Sequence, residues 1–242
     1  MEQRNVFYRD ELVDAANRLR DAISQKGYRM VNLAEQFGFN NTILSKKDRP
    51  IGISIDALAP LIRFISPGTT IHQFLYKSDR PMPQLYQLDA IKQIYDNATD
   101  NERAHATDIY YNRDYTDTKP SEVLKRRLSL LYKTVPSSEM VMQGNNGLDM
   151  TLRQIVQGEK DTEGTRISTV MMFADRFNLP VDFLLCHDFS YLPEYSGWFK
   201  DWLHTFLVAN QEGAMVANLL TSDEELTVNQ STAKFEGIGW DI

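Results

Sequence analysis

Residues 33–46 read LAEQFGFNNTILSK, the pattern expected when a short helix, a three-residue turn and a second short helix pack at a steep angle. Leu33, Ala34 and Phe37 share one helical face. Gly38 ends the first helix, where a positive φ strains a Cβ. Asn40 or Asn41 is placed to cap the second helix. Phe39 in the turn and Leu44 in the second helix point back at the first, which leaves Asn41, Thr42, Ser45 and Lys46 outward. A helix that offers amide, hydroxyl and ammonium groups suits a DNA major groove. Residues 40–47 also contain no carboxylate that would meet phosphate.

The chain around this stretch has 242 residues, 42% of them hydrophobic, enough for a packed core. There is no run of about 18 apolar residues, and the first residues, MEQRNVFYRDEL, are charged where a secretory leader is apolar. No membrane segment is therefore predicted, and a cytoplasmic location is expected. The net charge of −7 opposes nucleic-acid binding at first sight. It is unevenly spread, however: residues 1–85 carry +3, 86–119 carry −3, 120–188 carry −1 and 189–242 carry −6. The basic module is the one that holds the opening motif.

Catalytic and metal chemistry find little support in the sequence. The single cysteine, Cys186, forms neither an intrachain disulfide nor a cysteine metal site, and its neighbours in VDFLLC predict a buried thiol. His72, His105, His187 and His204 are far apart, and HExxH, paired-Cys and Gly-rich phosphate motifs are missing. His187 follows Cys186 directly, and adjacent helical residues point apart. No enzyme activity, metal or cofactor is expected. Lys125, Arg126 and Arg127 read as a solvated helix face rather than a DNA clamp.

An internal repeat organises the chain. In the first copy, a helix with Leu12, Ala15, Ala16, Leu19 and Ile23 on one face precedes the motif. Ile55, Leu58, Leu61, Ile62 and Ile65 follow it, then Ile71, Phe74 and Leu75. At an offset of 112 the middle group maps onto Ile167, Val170, Phe173, Ala174 and Phe177; at 110 the last group maps onto Val181, Leu184 and Leu185. Val123, Leu124, Leu128, Leu130 and Leu131 open the second copy, with Pro120 at the helix start. Between the copies, Leu85, Leu88, Ile91, Ile94 and Tyr95 predict a linker helix, followed by a polar connector. Beyond Asp188, Tyr195, Trp198, Phe199, Trp202, Leu203, Phe206 and Leu207 form a helical stripe that packs on its own chain or on a second one.

The motif resembles the helix-turn-helix of the Cro and phage-repressor type, the XRE family, in its Leu-Ala, Gly-hydrophobic and Leu-Ser signature. The likeness covers about residues 11–80 well and 121–187 weakly. It implies a compact five-helix domain whose third helix enters the major groove, commonly as part of a dimer. Carried over, the family's recognition positions fall on Asn40, Asn41, Thr42, Ser45 and Lys46, with Lys47 and Arg49 placed for phosphate contacts. At the start of the second helix the family's Ser/Thr-Gln pair is replaced by Arg29 and Met30, of which Arg29 supplies charge instead. The recognition helix's usual acidic-then-Gly ending is represented by Asp48 alone. In the second copy VMQGNNGLD (141–149) replaces the Leu-Ala-x-x-x-Gly turn, and LRQIVQG (152–158) fits the end of a recognition helix. Its corresponding contacts would be Thr151, Arg153, Gln154, Gln157 and Lys160.

The fold expected is all-α, with two tandem five-helix, lambda-repressor-like helix-turn-helix domains and a C-terminal helical appendage. The divisions are 1–81, a helical linker at 82–119, a divergent second domain at 120–188, and a helix with an acidic tail at 189–242. The function expected is sequence-specific binding of double-stranded DNA by a transcriptional regulator, a repressor of prokaryotic or phage type. The two copies act as a pseudo-dimer, or the Trp198 and Trp202 helix pairs two chains into a homodimer. The rival is a protein-interaction module, an anti-repressor or scaffold, that keeps the fold without binding DNA.

Overall fold

The computed structural model describes residues 8–45, 47, 49–76, 81–83, 99–100, 119–134, 146–187 and 191–192. The predicted linker helix, the Trp198 and Trp202 stripe and the acidic tail lie outside the described residues, as does Lys46. Among the described residues the regular structure is helical, as the periodicity predicts.

Five helices form the first copy: α1 (Arg9–Gln25), α2 (Met30–Phe37), α3 (Thr42–Ser45), α4 (Ile55–Ile65) and α5 (Ile71–Tyr76). The apolar residues of α1 at positions 12, 15, 16, 19 and 23 are the buried ones, so this helix turns the predicted stripe inward. α4 buries its whole predicted set together with Ala57 and Ala59, and packs on α1, α2 and α5. In the second copy α6 (Pro120–Thr134), α7 (Asn146–Val156), α8 (Ile167–Arg176) and α9 (Val181–Leu185) are described. α6 packs on both α7 and α9. α7 ends within one residue of the equivalent of the α3 end but starts earlier, at Asn146, so Asn146 and Gly147 lie within a helix rather than replacing one.

The copies are joined by packing as well as by chain. One continuous apolar core runs from Leu12, Leu19 and Leu58 in the first copy to Leu128, Phe173 and Phe183 in the second, so the division into domains marks the repeat and not two separate cores. α4 touches α6, and α5 touches α9. Ser54 and Arg166, equivalent at the offset of 112, form an isolated antiparallel bridge, and the Ile55 amide donates to the Thr165 carbonyl at 3.4 Å. Antiparallel pairing of equivalent residues is what a local two-fold axis produces.

A second set of contacts joins the closing helices of the two copies. His72 and Asp182 are equivalent at the offset of 110. The Asp182 carboxylate accepts the Ile71 amide at 2.8 Å and the His72 amide at 2.9 Å, while His72 Nδ1 accepts the Val181 amide at 3.5 Å. Each residue thus satisfies donors at the start of the other copy's closing helix, groups that a helix leaves without internal partners. Further out, Asp56 Oδ1 accepts the Ser121 amide at the start of α6 at 2.8 Å. The Tyr8 and Tyr76 hydroxyls both donate to Asp175.

Candidate nucleic-acid interface

In the first copy the motif forms two helices, α2 and α3, on either side of a turn. Arg29 is the extended residue before α2, and Gly38 closes that helix with φ 70° and ψ 42°. The Phe39 amide donates back to the Ala34 carbonyl at 2.9 Å, a 6→1 bond of the kind that ends helices through a left-handed residue. Leu33, Ala34 and Leu44 are buried and Phe39 packs partly against the core, so the turn is anchored on both sides.

Asn40 settles which asparagine caps. Its Oδ1 accepts the Thr42 amide at 3.0 Å and the Thr42 hydroxyl at 2.8 Å. The Asn40 carbonyl oxygen is therefore spent on holding α3, and only its amide nitrogen remains to meet a base. At the other end of the helix, Arg20 of α1 donates from Nη1 to the Leu44 carbonyl at 3.1 Å. With four residues, α3 is too short to persist by itself; the Asn40 cap and the Arg20 brace hold it from either side.

Around α3, Arg29, Asn40, Thr42, Lys47 and Arg49 are exposed and Asn41 is half-buried. The side chain of Ser45 and all of Lys46 lie outside the described residues. Behind the Arg29 turn, the Tyr28 ring sits 5.2 Å from Phe64, which in turn sits 5.6 Å from Phe37. This tilted aromatic cluster joins the turn before α2, and the end of α2, to α4.

The second copy differs in both face and charge. On α7, Leu148, Thr151, Leu152 and Ile155 are buried at i, i+3, i+4 and i+7. Thr151 was expected among the DNA contacts; it is 7% exposed and its hydroxyl donates to the Gly147 carbonyl at 2.9 Å. The polar side chain therefore faces inward and back-bonds its own helix. Arg153, Gln157 and Lys160 are exposed and Gln154 is half-buried, alongside Met150. The helix's first turn carries Asp149, and Glu159, Asp161 and Glu163 are exposed in the loop that follows.

Arg127 departs from sequence expectation, and His72 and Asp182 are buried polar residues for which the sequence predicted no contact. Arg127 is 6% exposed, not solvated, and lies 4.9 Å over the Phe183 ring. Lys125 and Arg126 beside it are exposed. His72 and Asp182, 1% and 2% exposed, are buried where α5 meets α9. Burial pushes the Asp182 carboxyl above the usual carboxylate range, against the opposing pull of the His72 and Ile71 amides. Their equivalence at the offset of 110, together with Asp182 in the first turn of a helix, is the sequence signal that could have found them. Cys186 is buried, as its apolar neighbours predict. Among the described residues no cluster of His, Cys, Asp and Glu is arranged to hold a metal, and no helix is long and apolar enough to cross a membrane.

Comparison with protein-family models, with curated proteins and with solved structures returns no match to this chain.

Proposed function

We propose that the first copy binds double-stranded DNA in a sequence-specific manner and that the protein regulates transcription, as a repressor of prokaryotic or phage type. The observation that carries the reading is the α2–Gly38–α3 turn, closed by a left-handed glycine and capped by Asn40, with cations on both flanks. Lys46, Lys47, Arg49 and Arg29 fix the module on phosphates. Asn41, Thr42, Ser45 and the free amide of Asn40 read base edges.

The experiment is retardation of promoter fragments from the source genome across a salt series. A true phosphate-anchored complex loses affinity with a slope of about −0.9 per phosphate contacted. Asn41→Ala weakens the bound fragment by about 5- to 150-fold, the range for one bidentate base contact. Lys47→Ala instead weakens every sequence alike and flattens the salt slope by about one contact. Absence of binding at low salt removes the proposal. That outcome favours the rival protein-interaction module, whose support is the net charge of −7 and the acidic loop after α7.

A further inference from the structure

We infer that one chain, and not a pair of chains, is the DNA-reading unit, because the second copy is the built-in pairing partner of the first and engages no DNA itself. The inference rests on the DNA-binding reading above and specifies its stoichiometry and target: a single, non-palindromic site held by a monomer.

The contacts between the copies carry the first half of the argument. The face of the first copy formed by Ser54 and the start of α5 is covered by the equivalent face of the second copy. The cover is made of unlike residues. Asp182 supplies two acceptors to the amides of Ile71 and His72, and His72 Nδ1 supplies one to Val181. Two first copies meeting through the same faces would set His72 against His72, and neither ring could offer the paired acceptors of a carboxylate. Two second copies would set two buried carboxylates against each other. The unlike pair is favoured over either like pair, and on one chain it forms independently of concentration.

Charge carries the second half. Residues 26–49 hold five Lys and Arg against two Asp and Glu, whereas the equivalent stretch at the offset of 112, residues 138–161, holds two against four. Phosphate attracts the first and repels the second. Thr151, the hydroxyl that would face a groove, is buried in α7. The second copy thus keeps the pairing surface of the repeat and has lost its electrostatic footprint.

The test uses the full chain and a randomised duplex library of about 30 base pairs, enough to span two successive turns of B-DNA. Enriched duplexes are sequenced, and the complex is weighed by native mass spectrometry. Expected are a motif without dyad symmetry and one chain per duplex. Arg153→Ala with Gln157→Ala should hold affinity within about twofold, while Asn41→Ala loses about 5- to 150-fold. A palindromic motif, two chains per duplex, or a loss in the Arg153 and Gln157 variant equal to that of Asn41→Ala overturns the inference while leaving the DNA-binding reading intact. No enrichment at low salt, and no retardation of any library member, removes the DNA-binding reading itself, and the inference with it. Circular dichroism of each variant guards against loss of fold, since Arg153 and Gln157 are exposed and their removal leaves the core untouched.

Discussion

Asp182 joins the two copies through two buried hydrogen bonds, and its removal has a calculable cost. Asp182→Ala strips the acceptors from the Ile71 and His72 amides, at 2.8 and 2.9 Å, in a site where the aspartate is 2% exposed and water does not replace it. An orphaned buried donor costs about 1–3 kcal/mol, so two cost roughly 2–6, and relief of the buried carboxylate offsets part of this. A net loss of about 2–4 kcal/mol is expected, a large share of the roughly 5–15 kcal/mol that holds a domain. Urea unfolding of the full chain measures it: with slopes of about 1–3 kcal/mol per molar, the midpoint falls by about 1 M or more. Asp182→Asn keeps one carbonyl acceptor and turns an amide toward the second donor, so its loss falls between. The pH dependence has a definite sign. The folded carboxyl sits above its unfolded value because of burial, so its contribution is complete below the ordinary carboxylate range and declines as pH rises through the raised value. The stability gap between wild type and Asp182→Asn therefore narrows from acid toward neutral pH. A midpoint shift below about 0.3 M for Asp182→Ala, or a gap that widens with pH, would refute the assignment of this residue as the buried cap of α5.

Two other substitutions test the local readings. Gly38→Ala places a Cβ at φ 70° where nothing lies within 4 Å of it, so the cost is backbone strain alone, about 1–2 kcal/mol by thermal or urea unfolding; Gly38→Asn loses less, because asparagine tolerates the left-handed region. A neutral alanine would show that the turn is not held at positive φ. Arg127→Ala removes a buried side chain and its stacking on Phe183, an expected loss of about 2–4 kcal/mol, whereas Lys125→Ala on the exposed side stays within about 0.5 kcal/mol. Equal, negligible effects from both would return Arg127 to the solvated face assigned by sequence.

The sequence displays an inside and an outside for each helix, and there the prediction succeeds: the apolar sets of α1, α4, α8 and α9 are buried residue for residue. Gly38 and a capping asparagine were also legible, because a left-handed closure and a cap are local requirements met by few residue types, but the choice of Asn40 over Asn41 was not. Thr151 was misplaced by weighing polarity above period. The stripe Leu148, Leu152 and Ile155 already puts position 151 inside, and a hydroxyl that bonds its own helix can be buried at little cost. Arg127, His72 and Asp182 are a different matter. Each is polar at a buried position because an element from elsewhere in the chain supplies what solvent would have: the Phe183 ring for Arg127, the start of α5 for Asp182, and the Val181 amide for His72. Periodicity says which face of a helix is covered and not by what. The repeat bears on that choice, since Ser54 meets its equivalent Arg166 and His72 meets its equivalent Asp182. An offset legible in apolar positions therefore carries information about polar ones. In this chain those polar positions, being unlike in the two copies, are what separates self-pairing within one molecule from pairing between two.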